Sequence, residues 1–269
     1  MNSENFIFAI GLTVFAGLST GIGSTMAFLS KNFNPKFLAG SLGFSAGVMI
    51  YVSLIEIFVK AKDSLTLLYG YKQGYWLTVI AFFGGIAIIA LIDWLVPSYE
   101  NPHEINNIED FDSDDVIHNK KLMRMGTFSA LAIAIHNFPE GLATFMAALQ
   151  NPALGVSIAV AIAIHNIPEG IAISVPIYFS TKSKKKAFIY SFLSGLAEPV
   201  GAIIGYFVLL RVFNDAIFGI VFAGVAGIMV YISLDELLPT AEEFGEHHVA
   251  IYGLIAGMIV MALSLLMFI

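Results

Sequence analysis

The chain has 269 residues, 58% of them hydrophobic and only 12% charged, with a mean hydropathy of +0.83. Soluble domains run near 45–50% apolar and about 25% charged, so this excess excludes a single water-soluble core. The net charge of -7 sits mostly in short loops, with no basic face to hold nucleic acid, and the lack of Cys excludes disulfides and thiolate metal sites.

A membrane span needs about 20 mostly apolar residues. The first such segment, 6–29, is too long for a signal-peptide core and starts without positive charge, so it reads as a retained span. Segments 37–60 and 75–97 follow. Residues 98–121 then form a polar loop with seven acids (Glu100, Glu104, Glu109, Asp110, Asp112, Asp114 and Asp115) together with His103 and His118. Segments 123–148 and 153–179 come next, then a basic turn of Lys182, Lys184, Lys185 and Lys186. Segments 187–210, 216–239 and 249–269 complete the set. Backbone polar groups in lipid must bond internally, which makes these segments helices. A barrel would show short alternating segments, which this sequence lacks. Residues 1–269 therefore read as one all-α, polytopic transmembrane domain of eight helices.

Eight spans put both termini on one side. Nine of the thirteen basic residues fall on the other: Lys31, Lys36, Lys120, Lys121, Arg124 and the four of the basic turn. The positive-inside tendency assigns that side, with loop 98–121, to the cytoplasm and both termini to the outside.

The sequence also repeats itself. Spans 4 and 5 share Ala-Ile-Ala-Ile-His-Asn at 132–137 and 161–166, each followed by Pro-Glu-Gly at 139–141 and 168–170. Spans 2 and 7 match at an offset of 180: Gly47/Gly227, Met49/Met229, Tyr51/Tyr231, Ser53/Ser233, Leu54/Leu234 and Glu56/Glu236. Spans 1 and 6 match more weakly, through Gly17-Leu18 and Gly195-Leu196. Each pair joins spans that cross in opposite directions. Such inverted repeats are common in secondary transporters, whose sites lie near the midplane.

The chemistry concentrates there. His136 and Glu140 are four residues apart and share a helix face, with Asn137 close by. His165, Asn166 and Glu169 repeat the pattern on span 5, and Glu198 lies mid-span on span 6. An ionisable group at mid-bilayer costs roughly 2.5 kcal/mol or more. Protonation or a bound cation offsets that cost. Two imidazoles and two carboxylates suit a four-coordinate divalent metal. Pro139 and Pro168 cannot donate to the carbonyls of Ile135 and Ile164, which are then tolerable only against protein or a wet cavity. The glycine after each motif glutamate permits close backbone approach.

The doubled His-Asn-x-Pro-Glu-Gly resembles the signature of the ZIP family of metal transporters, within it the bacterial ZupT-like type, and the resemblance covers essentially the whole chain. It implies a binuclear centre between helices 4, 5 and 6. His136, Glu140, His165 and Glu169 would form one position. Asn137, Glu140, Asn166, Glu169 and Glu198 would form the other, with both glutamates bridging. It also implies uptake of Zn²⁺ across the cell membrane, with Fe²⁺, Mn²⁺, Co²⁺ or Cd²⁺ as further cargo, no prosthetic group, and often a homodimer. Loop 98–121 departs from the His-rich loop of many relatives, which puts strong zinc binding there in doubt.

Glu56 near the outer end of span 2, and Asp93, Asp235 and Glu236 near inner ends, are candidates for capture and exit along the metal's route. Glu242, Glu243, Glu246, His247 and His248 read as a solvated loop. Two enzymes compete with transport. An intramembrane metal-dependent hydrolase needs an open metal position and a general base, as in His-Glu-x-x-His, which is absent. A di-iron oxidase uses Glu-x-x-His, whereas this chain has His-x-x-x-Glu with a proline inside. The inverted repeat favours transport. No Gly-x-x-x-x-Gly-Lys loop offers direct ATP drive, so a metal gradient, the membrane potential or protons must supply the energy.

Overall fold

Hydropathy alone predicts helices at nearly every long segment, and every regular element among the described residues is helical. The computed structural model describes residues 3–27, 35–95, 116–209, 214–244 and 247–267. In chain order these are α1 (Ser3–Ala27), α2 (Pro35–Val52), α3 (Phe58–Tyr69), α4 (Tyr71–Leu95), α5 (Val116–Gln150), α6 (Pro152–Thr181), α7 (Lys184–Gly195), α8 (Ala197–Leu209), α9 (Asp215–Ile232), α10 (Leu238–Phe244) and α11 (His247–Leu266). Among the described residues, seven helical runs are long and apolar enough to cross a membrane: Asn5–Thr25, Pro35–Tyr69, Tyr71–Trp94, Pro152–Thr181, Lys184–Val208, Asp215–Glu242 and His247–Leu266. The chain is thus an all-helical, multi-pass membrane protein. The segment predicted at 123–148 lies within α5. Of loop 98–121, residues 98–115 lie outside the described residues.

Local chemistry sets the helix ends. Asn151 caps α6, its side chain accepting from the backbone N–H of Ala153 and Leu154, with Pro152 in the first turn. α6 stops at Lys182, whose left-handed φ of 51° closes the helix. Ser183 then caps α7 by accepting from the N–H of Lys186. The predicted basic turn is therefore a tight connection between two capped helices.

Two features differ from the predicted spans. Span 2, expected to end at residue 60, continues to Tyr69 and turns into α4 at Gly70, where φ is +79°. Lys60, Lys62 and Asp63 lower the hydropathy there, but α3 is held by protein. Its Leu65 packs over Gly219 of α9, and Ser64 Oγ donates to the Asp215 carbonyl at 2.8 Å. The second feature is a pair of π-helical turns, Ser53–Ile57 and Ser233–Leu237, in which Phe58 and Leu238 donate to the carbonyls of Ser53 and Ser233. They fall at the same register of the 180-residue repeat.

Helix packing relies on small residues, as expected where lipid supplies no hydrophobic drive between helices. Gly43 and Gly47 of α2 abut the carbonyls of Ala250 and Leu254 of α11, while Gly253 and Gly257 abut those of Gly40 and Phe44. α2, α3, α4, α9 and α11 pack mainly among themselves, as do α1, α5, α6, α7 and α8. α2 meets α6, and α5 meets α9, between the two groups.

Candidate metal centre

Three elements converge inside the second group. α5 supplies Asn137 and Glu140, α6 supplies His165, Asn166 and Glu169, and the first turn of α8 supplies Glu198. All six side chains are fully buried. The side chain of His136 lies outside the described residues.

Glu198 owes its place to a break. α7 ends at Gly195, and α8 restarts at Ala197. Pro199 has no N–H to offer the carbonyl four residues back. The carbonyl of Ser194, at the same break, accepts from Asn137 Nδ2 at 3.2 Å. Glu198 thus stands in the first turn of a short helix, where the macrodipole is positive. It also lies within electrostatic reach of both Glu140 and Glu169.

The two asparagines are oriented alike. Asn166 Nδ2 donates to the Ala16 carbonyl at 3.0 Å and to Glu198 Oε1. With both amide nitrogens committed, the oxygens Asn137 Oδ1 and Asn166 Oδ1 have no hydrogen-bond partner among the described residues, nor does Glu198 Oε2. Buried acceptors without a donor are uncommon and costly. All three are hard oxygen donors of the kind a divalent cation takes. His165 Nε2 lies 3.1 Å from Glu140 Oε1 and 3.2 Å from Oε2, a nitrogen donor beside a bidentate carboxylate. Among the described residues no group of three or more His, Asp or Glu side chains is placed to hold a metal ion by itself.

The motif glycines explain how α5 approaches α8, and α6 approaches α1, so closely. A Cβ on Gly141 would strike the backbone of Glu198, and one on Gly170 the carbonyl of Thr20. Gly201 likewise abuts the Phe138 carbonyl. Each glycine lets one helix set its backbone against another at the level of these candidate ligands.

The remaining candidates lie elsewhere. Glu56, half-buried in the first π-turn, has its carboxylate 3.9 Å from Lys60 Nζ. The helix runs on for three turns beyond it, so Glu56 is not at a helix end. Asp235 and Glu236 occupy the second π-turn. Asp235 and Asp93 both lie within electrostatic reach of Tyr231, a residue the sequence offered only as half of the Tyr51/Tyr231 match. Glu242 bonds His247 at 2.7 Å on the surface, and Glu246 lies outside the described residues. Sequence reasoning also missed Ser45, whose hydroxyl donates to the His165 carbonyl at 3.2 Å. A buried serine carries no signal of a partner 120 residues away.

Residues 97–265 match the family described as "ZIP Zinc transporter". "Zinc transporter ZupT" of Chlorobaculum parvum is 68% identical over 266 residues, covering 99% of each chain. Proteins of the same name from Streptococcus mutans and Clostridium perfringens are 63% and 61% identical, covering 99% and 100% of this chain and 100% and 98% of their own. The matched region contains both His-Asn-x-Pro-Glu-Gly motifs and Glu198, and the similarity extends over essentially the whole length, so the chain belongs to the ZIP zinc transporter family.

Proposed function

We propose that this protein carries Zn²⁺ across the cell membrane and into the cytoplasm through the buried centre of α5, α6 and α8. One observation carries the reading. Three oxygen acceptors, Asn137 Oδ1, Asn166 Oδ1 and Glu198 Oε2, are buried without hydrogen-bond donors in a protein whose helices suit a bilayer. A cation satisfies them together, where separate donors would be needed otherwise. Membership of a transporter family sets the enzyme alternatives aside.

In the fuller proposal, α5 is the eighth crossing and both termini lie outside. His136, Glu140, His165 and Glu169 hold one ion, while Asn137, Glu140, Asn166, Glu169 and Glu198 hold a second. The first set mixes nitrogen and oxygen and suits zinc. The second is all oxygen and extends the cargo to Fe²⁺, Mn²⁺, Co²⁺ or Cd²⁺. Glu56 acts in capture, and Asp93, Asp235 and Glu236 in release. The test is zinc flux into sealed vesicles of purified protein carrying an internal zinc indicator, with a metal gradient and then a pH gradient imposed. Protein-dependent flux that disappears in Glu140→Ala supports the reading. Flux no greater than in empty vesicles overturns it.

A further inference from the structure

The hydroxyls of α1 divide into two kinds. Thr13, Ser19 and Thr25 each bond back to their own helix, at 2.8, 2.5 and 3.0 Å, onto the carbonyls of Ile10, Ala16 and Gly21. This is the usual way for a hydroxyl to satisfy itself inside a helix. Thr20 and Ser24 do not. Both are fully buried, and neither hydroxyl has a hydrogen-bond partner among the described residues.

Their placement is regular. Ala16, Thr20 and Ser24 lie four residues apart and so form one stripe along α1. Ala16 starts it at the metal centre, where its carbonyl holds Asn166. Thr20 is one turn further and lies against α7, its Oγ1 2.9 Å from where a Cβ on Gly195 would sit. Ser24 is another turn on, toward the Ala27 end, which the charge bias assigns to the cytoplasm. Polar groups line the facing side as well. Ser191 Oγ reaches the Thr20 carbonyl at 3.2 Å and the Gly170 carbonyl at 3.4 Å. Asn166 Oδ1 and Glu198 Oε2, both unpartnered, stand at the upper end of the stripe.

A site that is polar, buried and short of protein partners is where internal water binds. We propose that Thr20, beside α7, and Ser24, one turn further along α1, form a buried water-binding stripe, and that its water molecules take over from the protein's oxygen ligands as the cation leaves the centre toward the cytoplasm. A divalent ion leaves a protein site readily only if incoming oxygens replace those it loses. Hydroxyl-held water supplies them without adding a charge that would trap the ion. The stripe lies on α1, within the helix group that holds the centre, and acts on the ion's first step out of it, ahead of the acids assigned to release. It rests on the transport reading above.

Two arms test it. The chain contains no Cys, so single cysteines can be introduced on a clean background. In inside-out vesicles, Ser24→Cys should react with a small, impermeant methanethiosulfonate on the order of tenfold faster than Ser19→Cys, because that reaction needs hydrated thiolate. Equal reactivity overturns the proposal. This arm uses no metal, so its failure is separate from any failure of zinc transport. In the second arm, Thr20→Val with Ser24→Ala should slow zinc uptake about tenfold, the equivalent of one lost water-mediated bond at the rate-limiting step. Zinc binding at equilibrium should be unchanged, and Thr20→Ser with Ser24→Thr should restore the rate. Wild-type uptake by the valine–alanine variant overturns the proposal. Loss of zinc binding along with uptake also overturns it, since the hydroxyls would then belong to the metal centre. If that variant does not fold, the cysteine comparison decides.

Discussion

Glu140 of α5 and His165 of α6 meet across the helix interface, Nε2 of the imidazole lying 3.1 Å from one carboxylate oxygen and 3.2 Å from the other. A cation bound by both must displace this hydrogen bond and take the same lone pairs. Glu140 is also assigned to both metal positions, as is Glu169. Either Glu140→Ala or Glu169→Ala is expected to abolish uptake of every metal in the vesicle assay. Persisting zinc uptake above one tenth of wild type, about 1.4 kcal/mol of transition-state loss, would remove that glutamate from the centre.

The two proposed positions differ in softness, and single substitutions should separate them. His165→Ala removes a nitrogen from the first position only, so zinc uptake should fall by about tenfold or more relative to iron or manganese. Glu198→Ala removes an oxygen from the second only and should do the reverse. Zinc and ferrous uptake at matched protein levels is the measurement. An equal loss of both metals in both variants would mean that the positions are not specialised.

Proton competition gives the pH dependence. Imidazole and carboxylate ligands hold a metal only when deprotonated. Affinity is therefore full above the ligands' pKa values and lost as pH falls through them. Equilibrium zinc binding should weaken below about pH 6.5, the reference value for histidine. Constant affinity from about pH 8 to pH 5 would argue against histidine and glutamate as ligands.

Close helix approach at the centre makes a packing prediction. Gly141→Ala places a methyl group into the Glu198 backbone and should destabilise the fold by about 1–3 kcal/mol, lowering yield and thermal stability. Gly11 and Gly84 have nothing within 4 Å of an added Cβ. Alanine at either should be tolerated. Thermal unfolding in detergent compares the three. Equal stability of all three would refute the tight α5–α8 contact.

Orientation can be checked independently. Ser183 caps α7 in the basic turn, and Ser113 lies in the acidic loop. A cysteine at either position should resist impermeant thiol reagents in intact cells and react once the membrane is opened. Ready labelling of both in sealed cells would invert the topology.

The doubled motif made the centre legible because its chemistry is dense: two identical six-residue patterns, each out of place in lipid. The helices were legible because about 20 apolar residues in lipid leave the backbone few choices. The extension to Tyr69 was not, since hydropathy reports exposure to lipid and α3 is covered by Leu65 packing onto Gly219. Pro199 announced a disturbance near Glu198, but a single proline does not say whether a helix bends or restarts. The π-turns had no signal in composition, because Ser-Leu-Ile-Glu-Ile is ordinary helical sequence. Their equivalence shows only through the 180-residue offset joined to the backbone bonding.

That shared register also bears on ancestry. A π-turn holds one more residue than the α-helical ladder it interrupts, so it marks an extra residue in an older helix. Had the two repeats acquired that residue separately, nothing would require both insertions to fall at the same register, in turns that share a serine and a glutamate. One insertion in an ancestral segment, copied when that segment was duplicated, accounts for Ser53–Ile57 and Ser233–Leu237 together. On that account the irregularity predates the duplication, and Ile55 and Asp235, at equivalent places in the two turns, differ because one copy has since changed.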